Sequence, residues 1–411
     1  MTAGMSRAQR RVRVLGAVAA AASWSVLFVG AAQPAAADTQ AKQWYLSAMQ
    51  AEEMWKVTTG EGVKVAVIDT GVNSSTSSLR GQVLEGFDAT GAPGEETDDY
   101  SGHGTTMAEL IAGTGNGGGL KGLAPGAKII PVRIADSGFA KKNSTKANDT
   151  VDAIRAAADS DARIISMSFG SPYSMGQERE AVEYAESKGK LFFASVGNDG
   201  HKENKKEYPA AYPSVVGIAS ADRDGKVADY SQHANTVDVA SPGNDVPKWC
   251  NNSFESYCQG QGTSAATAIA SASAALVWSI HPDWTANQVL NVLFDTASRD
   301  WKDGERSKYL GHGLIRPSMN VLKGKGDPGD PDISPLTKER TTGSAVSSQK
   351  PEDSASPQPA KNGAEGDKPV AAEEEKSSGD ESQLGLILGA AAVVVVLGGV
   401  AYAVVRRRKA A

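Results

Sequence analysis

Between residues 63 and 219 short apolar runs alternate with helical patterns, and this alternation leaves the chain few folds to adopt. The runs 63–68, 129–134, 162–167, 191–196 and 215–219 are apolar at nearly every position, whereas a strand with one wet face would alternate apolar and polar residues. Between them, residues 105–112, 150–158 and 178–188 carry helical patterns. Strands buried on both faces and separated by helices predict an α/β fold: a mainly parallel central sheet with helices on both sides. Ligands of such sheets sit beyond the carboxyl ends of the strands, and Asp69 closes the first one. Two more helices are predicted, over 263–278, whose Ala and Ser allow close packing, and over 285–297, which Asp283 precedes.

The two ends are of another character. Arg7, Arg10, Arg11 and Arg13 precede an apolar run over 14–29 and small residues ending at Ala35, Ala36 and Ala37, the layout of a secretory signal peptide (1–37) cleaved before Asp38. An uncleaved anchor helix is the alternative. Residues 384–405 are uncharged and followed at once by Arg406, Arg407, Arg408 and Lys409. A helix of that length spans about 33 Å, against a hydrocarbon core of roughly 30 Å, so a C-terminal transmembrane helix is expected. The positive-inside rule then places 406–411 in the cytoplasm as a basic tail and the bulk of the chain outside. Residues 323–383 fill with Pro, Gly, Ser and charged side chains and cannot bury enough apolar surface to offset their ordering entropy; they are expected to form a disordered linker. One folded domain, 61–322, remains, preceded by a short extension, 38–60. The net charge of −6 argues against a nucleic-acid partner. The two cysteines, Cys250 and Cys258, lie in the expected extracytoplasmic part, where a disulfide is permitted; two free buried thiols are the alternative.

Three segments carry reactive side chains in the order acid, base, hydroxyl. They are VAVIDTGV around Asp69, SGHGTTMA around His103 and GQGTSAATA around Ser264. Nucleophilic hydrolysis by serine needs a hydroxyl beside a base, an acid holding the base, and donors aimed at the developing oxyanion. Ser264 directly precedes a helical run, which puts its amide at a helix N-terminus; read alone it would be a capping serine. Of the five histidines, His103 alone is flanked by glycine on both sides, while His201, His233, His281 and His312 read as surface or packing residues. Asp69 at a strand end would by itself cap a turn.

Together these segments resemble the signatures of the subtilisin-like serine proteases. So do ASVGNDG around Asn198, YPAAYPSVVGIAS from Tyr208, VDVASPG from Val237 and SMSFG from Ser166, and the resemblance covers nearly the whole domain. It implies a subtilisin-like three-layer fold, a serine endopeptidase acting through an acyl-enzyme, and a catalytic triad of Asp69, His103 and Ser264. It also implies oxyanion donors from Asn198 and the Ser264 amide. Ser168, Phe169 and Gly170 would be the substrate-binding strand, pairing with an extended peptide by β-augmentation. With Asn198 and Asp199 they would border the pocket for the residue before the cleaved bond, and Asp199 brings an expectation of tolerance for basic side chains. No cofactor is expected; structural calcium is common in the family, but no carboxylate cluster here has convincing ligand spacing.

The sequence departs from the family pattern where Thr106 and Glu109 replace the usual His and Gly, and where Ala268 and Ile269 replace a Pro and a His. A long prodomain is also missing from the pattern. The short extension, tether, terminal helix and basic tail together resemble the mycosins, membrane-anchored proteases of type VII secretion in actinobacteria. That resemblance implies a protein or peptide substrate, an attachment to the membrane, and partners among the membrane components of such a secretion system. Two alternatives stay open: a protease fold serving as scaffold of a secretion complex with slow or no turnover, and a surface-tethered protease of broad specificity.

Overall fold

The computed structural model describes residues 39–341, apart from 148 and 303. The signal peptide expected over 1–37, the transmembrane helix over 384–405 and the tail over 406–411 lie outside the described residues, as does the linker beyond 341.

In chain order the elements are α1 (Trp44–Ala48), α2 (Ala51–Met54), β1 (Lys64–Asp69), β2 (Phe87–Asp88), α3 (His103–Ala112), β3 (Lys128–Arg133), α4 (Ser137–Ala140) and α5 (Asp149–Asp159). They continue with β4 (Ile164–Met167), α6 (Gly176–Ser187), β5 (Leu191–Ser195), β6 (Val216–Ala221), β7 (Val239–Pro242), β8 (Val246–Trp249) and β9 (Tyr257–Gly260). The last three are α7 (Thr263–Ile280), α8 (Ala286–Asp295) and α9 (Ser318–Val321). Seven strands form one sheet in the order β2-β3-β1-β4-β5-β6-β7, every neighbouring pair parallel. The predicted helices and strands over 63–297 all form, with ends displaced by a few residues.

Successive strand side chains divide between two cores, which makes the three layers. Val65 and Val67 of β1 and Leu191 and Phe193 of β5 pack with α3, α7 and α8. Ala66, Ile68, Phe192 and Ala194 pack on the other side with α5 and α6. Both faces are therefore dry, which is why these strands read as unbroken apolar runs. Among the described residues α7 is the one helix long and apolar enough to cross a membrane, yet it lies buried in the first core. Its hydroxyls need no external partner there: Thr267, Ser271 and Ser273 each donate to the carbonyl four residues back, at 2.8, 2.9 and 2.8 Å.

The extension joins the domain rather than standing apart from it. Tyr45 is fully buried, Gln43 exchanges hydrogen bonds with the Lys121 backbone at 2.8 Å in each direction, and the Trp44 and Trp55 indoles donate to the Asn244 and Leu123 carbonyls.

The linker expected from residue 323 does not begin there. Residues 323–341 follow the domain surface, with Ser334 buried and Leu336 packed against the core. The cause is one face of α8: Asn287, Asn291 and Asp295, four residues apart, bond to the Pro331 carbonyl, the Pro328 carbonyl and the Asp327 amide at 2.9, 3.0 and 3.1 Å. Side chains supply the partners that the tract's own composition could not.

Candidate active site

Strand β1 has β3 on one side and β4 on the other, so chain connections diverge at its carboxyl end and leave a crevice there. Asp69 ends β1 at this point, buried at 4% exposure. Ile68 faces Met167 across the sheet, so Ser168, the residue after β4, lies beside Asp69's end of the crevice.

His103 opens α3, and its Nδ1 lies 2.7 Å from Asp69 Oδ1, which also accepts the Thr70 amide at 2.8 Å. The approach depends on glycine. A Cβ on Gly104 would fall 2.2 Å from the Gly71 carbonyl oxygen, so any side chain there would drive the helix off the strand. Gly102, at φ 86°, makes the turn into the helix. Burial opposes a charge on the imidazole, but the ring keeps 35% exposure. The Asp69 charge and hydrogen bond, aided by Asp99, prevail and raise the His103 pKa above its ordinary 6.5.

Ser264 is the second residue of α7, where backbone amides have no partner four residues back. Its hydroxyl donates to the Ser168 carbonyl at 3.3 Å while the Ser168 hydroxyl donates to the Ser264 carbonyl at 3.3 Å, which docks the start of α7 on the end of β4. Among the described residues no hydrogen bond joins Ser264 to His103.

Asn198 lies on the adjoining loop. Its Oδ1 accepts from the Thr263 amide at 2.9 Å and the Thr263 hydroxyl at 3.1 Å. Because an amide N–H only donates, this contact fixes which side-chain atom is oxygen and leaves Nδ2, two N–H donors, on the opposite side. The contacts thus join Asp69 to His103, and Ser264 to Ser168 and, through Thr263, to Asn198, with Ser168 one residue past the strand paired to β1. Phe169 packs against the second core, Gly170 is exposed, and Asp199 turns its carboxylate to Lys202 at 3.2 Å.

The departures on α3 have a shared purpose in the fold. Cys250 and Cys258 form a disulfide across the β8–β9 hairpin. Thr106 accepts the Trp249 amide at 3.1 Å, and Glu109, fully buried, accepts from the Tyr257 hydroxyl at 2.7 Å and the Thr76 hydroxyl at 2.8 Å. The hairpin is therefore fastened to the helix that carries His103, and its Asn251 carbonyl covers Gly102 so closely that a Cβ would lie 2.7 Å away. On α7, Ala268 and Ile269 are fully buried packing residues.

Burial pushes the Glu109 carboxyl up to about 7 from 4.5, against the lowering effect of its hydrogen bonds. The folded state then holds a proton that the unfolded chain releases between these values, so the contribution is full below pH 4.5 and fades as pH rises through about 7. Glu109→Gln keeps an amide in place without titrating. Its melting temperature relative to the parent is expected to climb by several degrees from pH 5 to pH 8, reflecting at most about 3 kcal/mol. Thermal unfolding across that range is the check; a difference that does not vary with pH would contradict it.

Sequence reading did not find Glu207. Its carboxylate meets Gly170 and Gly197 because Tyr208 pairs with Ser171, and nothing in the residues beside Glu207 announces that pairing.

Residues 60–313 match the subtilase family. Thermitase of Thermoactinomyces vulgaris is 34% identical over 222 residues, which span 53% of this chain and 76% of the relative. Among solved structures, MycP1 from Mycobacterium smegmatis superposes with a TM-score of 0.60 at 25% identity, covering 72% of this chain and 88% of that one. MycP3 protease, from the type VII (ESX-3) secretion system, gives 0.55 at 25% identity, covering 68% and 87%.

Proposed function

The chain belongs to the subtilase family, as a serine endopeptidase of the subtilisin type, and on that premise we propose that Ser264, His103 and Asp69 are its catalytic triad in a membrane-anchored, extracytoplasmic enzyme of a type VII secretion system. The observation that carries the catalytic part is the 2.7 Å contact of Asp69 with His103 Nδ1, in the same crevice where Ser264 docks on Ser168. The contact assigns the proton on neutral His103 to Nδ1, which leaves Nε2 free as acceptor.

In the reaction, Nε2 takes the Ser264 proton as Oγ attacks the scissile carbonyl, and Asp69 stabilises the resulting imidazolium. Negative charge gathers on the carbonyl oxygen, toward the Ser264 amide and Asn198 Nδ2. The imidazolium gives its proton to the leaving amine, and an acyl-enzyme remains. Water, deprotonated by Nε2, then releases the new carboxyl end and restores Ser264. Extended substrate lies along Ser168, Phe169 and Gly170, with its side chain before the cleaved bond directed between that segment and Asn198–Asp199.

The anchoring and secretion reading is supported by the apolar segment 384–405 with its basic flank and by the likeness to MycP1 and MycP3. The test uses the full chain. It is expected in the membrane fraction, to cleave an unfolded protein there, and to lose about 10²–10³ in kcat on Asn198→Ala. A chain recovered in the soluble fraction contradicts the anchor. A folded chain without turnover supports the scaffold alternative.

A further inference from the structure

Glu207 is a half-buried carboxylate at the edge of the crevice, without a cationic partner among the described residues. It is wedged between two glycines: a Cβ on Gly170 would lie 2.2 Å from Glu207 Oε2, and a Cβ on Gly197 would lie 2.8 Å from Glu207 Cδ. These glycines belong to the two segments that flank the nucleophile. Gly170 follows Ser168, whose carbonyl accepts the Ser264 hydroxyl, and Gly197 precedes Asn198, which holds Thr263. The carboxylate is thus held, with the Gln232 amide, against the backbones of the two segments whose neighbouring residues contact the start of α7.

Its hydrogen bonding is half complete. Oε1 accepts from the Gln232 side-chain amide at 3.0 Å, while among the described residues Oε2 receives no hydrogen bond. No Lys, Arg or His of the described residues forms an ion pair with Glu207. Of the neighbouring lysines, Lys205 pairs with Glu203 at 2.6 Å and Lys202 with Asp199 at 3.2 Å, and Lys206, next to Glu207 in the chain, makes no ion pair with it among the described residues. Burial raises the Glu207 pKa, as does the charge of Asp199, against the hydrogen bond from Gln232. A partly desolvated carboxylate oxygen left unmatched is stabilised by a cation brought to it from outside.

We propose that Glu207 is the specificity-determining residue of the enzyme, selecting substrates with Lys or Arg immediately before the cleaved bond. The inference rests on the proposed substrate strand Ser168–Gly170, whose direction carries that side chain toward Glu207. It moves the expected preference for basic residues from Asp199, which is exposed and paired with Lys202, to a half-buried carboxylate at the crevice edge. A Lys ammonium or an Arg guanidinium reaching Glu207 would complete Oε2. A charge-assisted bond of this kind corresponds to roughly a ten- to hundredfold preference over an uncharged side chain of equal length.

The test compares peptides identical except for Lys, Arg, norleucine or Glu before the cleaved bond, with the purified full chain and its Glu207→Gln and Glu207→Asp variants. The readout is the ratio of kcat/KM for Lys to that for norleucine within each protein, which the fraction of active enzyme does not change. The expected ratio is roughly ten to a hundred for the parent, at least tenfold lower for Glu207→Gln, and largely restored in Glu207→Asp. A ratio equal in the parent and Glu207→Gln overturns this inference and leaves the protease reading standing. Failure of the parent to cleave any of the peptides, or to react with a fluorophosphonate, overturns both.

Discussion

Ser264→Ala is expected to lower kcat by about 10⁶, leaving only the residual acceleration from binding and oxyanion donors. The physical reason is that in the proposed mechanism the acyl-enzyme forms on the Ser264 hydroxyl: without it, water would have to attack without a fixed position. The change removes one hydroxyl and little else. The Ser168 hydroxyl still has the backbone carbonyl at position 264 to donate to, and alanine suits the second position of α7, so the fold should be preserved. Steady-state cleavage of a peptide ester or amide, together with the melting temperature, checks this. A variant that keeps more than about one part in a hundred of the parent rate would place the nucleophile elsewhere.

Asp69→Asn is expected to cost about 10⁴ in kcat through the wrong imidazole tautomer. The side-chain amide introduced by this substitution can donate to His103 Nδ1, and the ring would then carry its proton on Nε2 and lose the acceptor that Ser264 requires. A second readout separates this from simple damage. In the parent, kcat/KM rises as His103 loses its proton, with a midpoint above 6.5 because of the Asp69 charge. Without that charge the midpoint moves down. A variant within tenfold of the parent rate, or with an unmoved midpoint, contradicts the role given to Asp69.

The sheet was legible because both of its faces are dry. Continuous apolar runs at 63–68, 162–167 and 191–196 leave little else for those residues to be, and Asp69 at the end of the first run pointed to the end of the sheet where the candidate site lies. His103 stood out by its glycines, and the structure gives the reason: Gly104 lets the helix backbone touch Gly71. Segments stabilised by distant partners were not legible. The β8–β9 hairpin is short and half exposed, and its anchorage to Thr106 and Glu109 spans more than a hundred residues of chain. The tract after residue 322 has the composition of a linker and is ordered to residue 341 by side chains of α8 that sequence reading had assigned only to a helix. Glu207 falls in the same class, since pairing between Ser171 and Tyr208, not local pattern, brings it to Gly170.

The role of Ser264 as nucleophile is tested most directly by covalent capture. The full chain is treated with a fluorophosphonate at pH 8, digested, and the modified peptide sequenced by tandem mass spectrometry. A single adduct on Ser264, absent from Ser264→Ala and slowed by Asp69→Asn, is the predicted result. An adduct on any other residue, or a folded chain that takes up no label, would contradict it.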